Sequence, residues 1–263
     1  MSRLQDAFGT PQLVGYLVGN HPDPDTFLDN ATALIENGVG VLEVGIPFSD
    51  PVADGPTIQE AVVQAMDQGT RPRDVLDLCG RLRERHPETP LVVMTYANLA
   101  YKMGYGRFAD QLRENGVDGA ILADLPPEHA GEVQAAFGHD LDLIFLASPA
   151  TSDARLEKLC TASRGFLYLV GLFGVTGERA ELDPRTVSLV ERVAPVAEKH
   201  SLPVAVGFGI SKGEHAARLV EAGARGVVVG SAFVRKVLDG APARDLGSLA
   251  QELSQAIREA RAP

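Results

Sequence analysis

Eight times along this chain a short apolar run is followed by a segment with helical spacing. That alternation narrows the possible folds more than any other feature. The runs are Gln12–Val18, 39–46, 91–96, 119–123, 141–147, 165–170, 203–206 and Gly226–Val229. Runs of this length, rich in branched side chains, are strand signals. Between them lie helical patterns. Asp23 caps a helix with Pro24 at its first position, and Gly38 falls just past its end. Further helices are expected from Thr57 to about Asp67, then over 72–85, 108–114, 128–137, 153–161, from Asp183 and Pro184 onward, and over 213–222. Near the C-terminus Leu246, Leu249, Leu253 and Ile257 form one helical stripe that predicts packing on the outside of the barrel. Eight strand–helix units of similar length fit a (β/α)8 barrel better than a doubly wound open sheet. No linker or low-complexity tract divides residues 1–263, so one domain is expected.

The strand at 39–46 carries an acid in its middle. Alternation puts Glu43 on one face with Val41 and Gly45, while Leu42, Val44 and Ile46 face the other way. A carboxylate inside a strand is costly to bury unless it is protonated, paired or working. Next comes a loop holding Asp50 and Asp54 among Pro47, Pro51 and Pro56. Thr57 and Glu60 have the spacing of a capping box for the following helix. In a barrel, working groups sit at the C-terminal ends of the strands and in the loops that follow. Glu43 and Asp54 are therefore the candidate catalytic pair.

Two further regions belong to that same end. Strand seven runs into Gly207, Phe208, Gly209, Ile210 and Ser211, and strand eight into Gly230, Ser231 and Ala232. Glycine-bearing turns leading into helices let backbone N–H groups approach an anion, and this pair of places is the usual phosphate site of the fold. The loop 171–182 is long for a strand–helix connection and carries three glycines, as lids often do. Tyr16, Met94, Tyr96 and Tyr168 stand at strand ends. Together they suggest a flat apolar ligand above the two carboxylates, with its phosphate held by the glycine turns.

Composition removes other classes of function. A net charge of −11 argues against nucleic acid or an anionic membrane as partner. No apolar run reaches membrane-spanning length, and a cytoplasmic location is the default expectation. Cys79 and Cys160 read as buried thiols. The five lysines fall in loops or helices, which disfavours a Schiff-base aldolase, and the six histidines do not cluster as metal ligands. General acid–base chemistry by two carboxylates remains, with no metal expected.

The residues 42–59, LEVGIPFSDPVADGPTIQ, closely resemble the signature of the tryptophan synthase alpha chain family. The resemblance continues through Tyr96-Ala97-Asn98, Ala123-Asp124-Leu125-Pro126, Gly174-Val175-Thr176-Gly177 and both glycine turns. It implies cleavage of indole-3-glycerol phosphate to indole and glyceraldehyde 3-phosphate, in tryptophan biosynthesis. It also implies a beta-chain partner in an alpha2beta2 tetramer, with pyridoxal phosphate in the beta chain and no cofactor in this one. Position by position, Glu43 resembles the family's acid–base glutamate and Asp54 its second catalytic carboxylate. Tyr16, Tyr96, Asp124 and Tyr168 fall where family members line or support the indole pocket. Thr176 and Gly177 match the mobile loop, and Gly207, Gly209, Gly230 and Ser231 the phosphate site. Two stretches depart from the family pattern: Gly19-Asn20-His21-Pro22 replaces a Gly-Asp-Pro, and Gly171-Leu172-Phe173 lacks an arginine common before Gly-Val-Thr-Gly. A stand-alone indole-releasing lyase, a non-catalytic allosteric subunit and a phosphosugar isomerase on the same fold stay open.

Overall fold

The computed structural model describes residues 2–171, 182–207 and 209–260. The strands are β1 (Gln12–Val18), β2 (Val39–Gly45), β3 (Leu91–Thr95), β4 (Gly119–Leu122), β5 (Asp142–Ile144), β6 (Leu146–Ala147), β7 (Leu167–Val170), β8 (Val204–Gly207) and β9 (Gly226–Val229). The helices are α1 (Arg3–Ala7), α2 (Pro24–Glu36), α3 (Pro56–Asp67), α4 (Pro72–Arg85), α5 (Ala97–Met103), α6 (Tyr105–Glu114), α7 (Gly131–Phe137), α8 (Asp153–Ala162), α9 (Pro184–Lys199), α10 (Gly213–Glu221), α11 (Ser231–Leu238) and α12 (Ala243–Glu259).

All the strand pairs are parallel, in the order β5-β4-β3-β2-β1-β9-β8-β7-β6. The expected fifth strand is one run split at Phe145, with its first half on β4 and its second half on β7. Tyr168 N donates to the Phe145 carbonyl at 3.0 Å, so the break itself closes the sheet into a (β/α)8 barrel.

Strand alternation divides the core in two. Val14, Tyr16, Val41, Val92, Met94, Ile121, Ile144, Tyr168, Ala205 and Val228 form an inner cluster. Their neighbours in sequence, including Leu42, Val44, Val93, Leu169, Val206 and Val229, belong to the layer between barrel and helices. Leu4 and Phe8, on and just after α1, join the inner cluster from the N-terminal side, where Phe8 meets Phe166 at 5.2 Å between ring centroids. Ser2 bonds Asp142 and Arg3 pairs with Asp118, so α1 is latched to the strand starts it covers. The C-terminal stripe behaves as expected: Leu246, Leu253 and Ile257 are buried as α12 packs across α2 and α10.

Three helix expectations need correction. The helix α3 begins at Pro56 with Gly55 as its cap, and no side chain caps it, so Thr57 and Glu60 form no capping box. Proline at the first position lacks an N–H and has its dihedral preset, which starts the helix one residue early. A helix not anticipated, α5, occupies the connection after β3, because the Asp124 carboxylate accepts from Ala97 N at 2.7 Å and satisfies its free N-terminus. The segment expected as one helix over 128–137 is a short 3-10 turn, Pro127–His129, followed by α7.

Candidate active site

Register places Glu43 of β2 directly beside Tyr16 of β1, both turned into the barrel. Glu43 is 1% exposed, and among the described residues neither carboxyl oxygen has a hydrogen-bond partner. Burial pushes its pKa up to about 8, and the charge of Asp54 adds to the shift.

Asp54 approaches from the loop above. Asp54 N donates to the Pro51 carbonyl at 3.0 Å, and Gln59 Nε2 donates to the Asp54 carbonyl at 2.8 Å. Its carboxylate accepts from the Tyr96 hydroxyl at 2.9 Å, and that hydroxyl accepts from Ala53 N at 3.0 Å. The Tyr96 ring in turn stacks on Phe48, 5.0 Å between centroids. Burial raises the Asp54 pKa to about 6, and the Tyr96 hydrogen bond restrains the rise. At neutral pH the pair is therefore unlike in state: Glu43 holds its proton and Asp54 is ionised. Two carboxyls pushed apart in this way are the arrangement of an acid and an anionic stabiliser.

Tyr16 and Tyr168 reach across to glycines on the neighbouring strands. A Cβ on Gly45 would lie 2.1 Å from the Tyr16 hydroxyl oxygen, and one on Gly207 would lie 2.4 Å from that of Tyr168. Only glycine leaves room for the two rings, which wall a cavity with Glu43 at its floor. Tyr16, Glu43, Asp54, Ile58, Met94 and Tyr168 line one part of it, and Gly209, Ile210, Val228, Gly230, Ser231 and Ala232 the other. Its empty space, with the open solvent at its mouth included, is about 540 Å³.

The glycine end has the features of an anion seat. Gly209 has φ +76°, a left-handed conformation that turns the chain after β8 over the cavity. Gly230 leads directly into α11, whose first-turn N–H groups have no partner within the helix. The dipole of that helix adds local positive potential on an acidic protein.

The fold thus gathers Tyr16, Glu43, Asp54, Tyr168, Gly209, Gly230 and Ser231 around one cavity. Tyr96 stands behind Asp54 and holds it, and Asp124 caps α5, the helix that Tyr96 introduces. Gly207 backs the Tyr168 ring and does not line the cavity. Thr176 and Gly177 lie outside the described residues. Ile58 and Val228 line the cavity without having been singled out in sequence, and Ile210 and Ala232, named there only as members of the glycine turns, line it too. The departing loop after β1 is tied down by Asn20 Nδ2 donating to Thr70 Oγ1 at 2.9 Å and by His21 Nε2 meeting Gln64 Oε1 at 2.9 Å. Among the described residues no group of three or more His, Cys, Asp or Glu is placed to hold a metal ion. None of their helices is long and apolar enough to cross a membrane.

Comparison with known proteins points the same way. Residues 4–261 match the sequence profile of the family described as tryptophan synthase alpha chain. The tryptophan synthase alpha chain of Halorhodospira halophila is 41% identical, over 99% of this chain and 96% of its own length. That of Aquifex aeolicus is also 41% identical, over 98% of this chain and all of its own. Among solved structures, a chain from a study of mutual activation in the tryptophan synthase a2b2 complex of Pyrococcus furiosus superposes with TM-score 0.86 at 40% identity, over 93% of this chain and 98% of that one. A chain of Mycobacterium tuberculosis tryptophan synthase gives TM-score 0.86 at 37% identity, over 98% of each.

Proposed function

The chain belongs to the tryptophan synthase alpha chain family, and we infer from that membership and from the cavity that it cleaves indole-3-glycerol phosphate to indole and glyceraldehyde 3-phosphate. It is a carbon–carbon lyase of tryptophan biosynthesis. The observation that carries the mechanism is Glu43, buried and without a hydrogen-bond partner among the described residues, facing the same cavity as Asp54, whose carboxylate the Tyr96 hydroxyl holds.

The reaction is a retro-aldol cleavage. Protonated Glu43 gives its proton to indole C3, and the resulting carboxylate takes the proton of the adjacent side-chain hydroxyl. The bond between C3 and that carbon breaks, its electron pair returns to the indole ring, and the hydroxyl-bearing carbon leaves as an aldehyde. Glu43 ends as it began. Positive charge develops on the ring nitrogen in between, and Asp54, anionic and aimed by Tyr96, accepts the ring N–H and stabilises it. Tyr16, Met94 and Tyr168 hold the flat ring, while Gly209, Gly230 and Ser231 seat the phosphate.

The partner in this reading is a tryptophan synthase beta chain, in an alpha2beta2 assembly in the cytoplasm. Pyridoxal phosphate belongs to the beta chain, since the lyase step needs only acid–base groups of this one. Indole release from indole-3-glycerol phosphate, with and without a beta chain, tests the assignment. Glu43→Gln keeps the shape and removes the titrating group, so turnover falls by roughly two to four orders of magnitude. Retention of a tenth of the activity would falsify the acid–base role.

A further inference from the structure

Thr57 and Glu60 have capping-box spacing but do not cap α3. Both face a single cation on another helix. Arg235 Nη2 donates to Thr57 Oγ1 at 3.1 Å, and Nη1 lies 3.4 Å from Glu60 Oε2. Arg235 stands on α11, four residues and hence about one turn beyond Ser231. Its side chain is 39% exposed and is not among the residues that line the cavity.

The two helices joined by this guanidinium bring the opposite halves of the site. The first turn of α11 supplies Ser231 and Ala232 to the glycine end. The first turn of α3 supplies Ile58, and Asp54 comes two residues before that helix begins. Beneath the polar contact, Ile58 and Val62 of α3 share an apolar cluster with Val234 of α11. No side chain caps α3 at Gly55, and the described side-chain contacts at its start are the bond from Gln59 Nε2 to the Asp54 carbonyl and the forked contact from Arg235.

We propose that Arg235 is a positioning residue that couples the phosphate end of the site to the placement of Asp54. An anion seated on the first turn of α11 fixes that helix, and the guanidinium passes the constraint to Thr57, Glu60 and the loop before them. The ring-binding carboxylate is then best placed when the phosphate is present, which favours the complete substrate over indole alone. The inference rests on the lyase reading given above.

Calorimetry on the intact chain tests it, with indole and inorganic phosphate each titrated in the absence and presence of the other. In the wild type each ligand tightens the other about fivefold or more, by the same factor in both directions. Thr57→Val keeps every charge and removes one acceptor, and Arg235→Ala removes the fork, so in both variants the factor falls towards one. Arg235→Lys keeps the charge without the fork and retains part of it. A half-exposed ion pair adds little to stability, so the melting temperatures stay close to wild type and a loss of coupling is not a loss of folding. Wild-type coupling preserved in both Thr57→Val and Arg235→Ala overturns the proposal, as does the absence of coupling in a wild type that cleaves indole-3-glycerol phosphate. A wild type that releases no indole overturns the lyase reading instead.

Discussion

Glu43 is an ionisable side chain without a hydrogen-bond partner among the described residues, placed where burial favours its neutral form. Its folded-state pKa, about 8, lies above the ordinary glutamate value of 4.5, so between those two values the folded chain holds a proton that the unfolded chain has released. The unfolded state then binds fewer protons, and stability declines as pH rises through that window and levels off above it. Glu43→Gln removes the titration. Denaturant unfolding of the two proteins is expected to agree near pH 4 and to diverge with rising pH. By pH 9 the variant is more stable by about 4–5 kcal/mol at 1.36 kcal/mol per pKa unit. Parallel stability curves across pH 4–9 would show that Glu43 is not held neutral by burial. The glutamate was legible in sequence because an acid among strand-forming residues is conspicuous. The part played by the Tyr96 hydroxyl was not, because nothing in local spacing tells that it reaches back 42 residues to Asp54.

Among the elements, local chemistry predicts well where one residue decides and poorly where distant ones do. Asp23 caps α2 as its sequence says, through bonds to the N–H groups of Asp25 and Thr26. Thr57 and Glu60 carry an equally good local signal, yet α3 starts at Pro56 and spends both side chains on Arg235, which is 178 residues from Thr57. The helix α5 depends on Asp124 from the next strand–helix connection and so escaped the periodicity. The glycine turns did announce themselves, because glycines at two strand ends that each lead into a helix can be read from sequence; the left-handed Gly209 and the start of α11 at Ser231 came with the structure. Gly209→Asp tests the anion seat. Aspartate and asparagine tolerate the left-handed conformation better than most residues, so Gly209→Asn serves as the uncharged control. Calorimetry with glycerol 3-phosphate is expected to show a loss of about tenfold or more for aspartate and a smaller loss for asparagine. Equal affinities for wild type and Gly209→Asp would place the phosphate elsewhere.

Across the whole molecule, eight-fold alternation was enough to fix the barrel, because period two in the strands sorts every side chain to the inner cluster or the outer layer. The sequence could not say how the barrel closes at Phe145, or that α1 and Phe8 would cover its N-terminal side, since both depend on contacts between distant segments. The chain carries −11 overall and still offers an anion seat, as helix N-termini act locally where net charge does not. Everything proposed for the reaction depends on the two carboxyls holding opposite protonation states in one cavity. The pH dependence of kcat/KM for indole-3-glycerol phosphate reads that directly, as apparent values of the coupled pair. The rate is expected to rise through about 6 as Asp54 ionises and to fall through about 8 as Glu43 loses its proton. A rate that stays level from pH 7 to pH 10 would contradict the account, because a Glu43 already ionised at neutral pH has no proton to give to the indole ring.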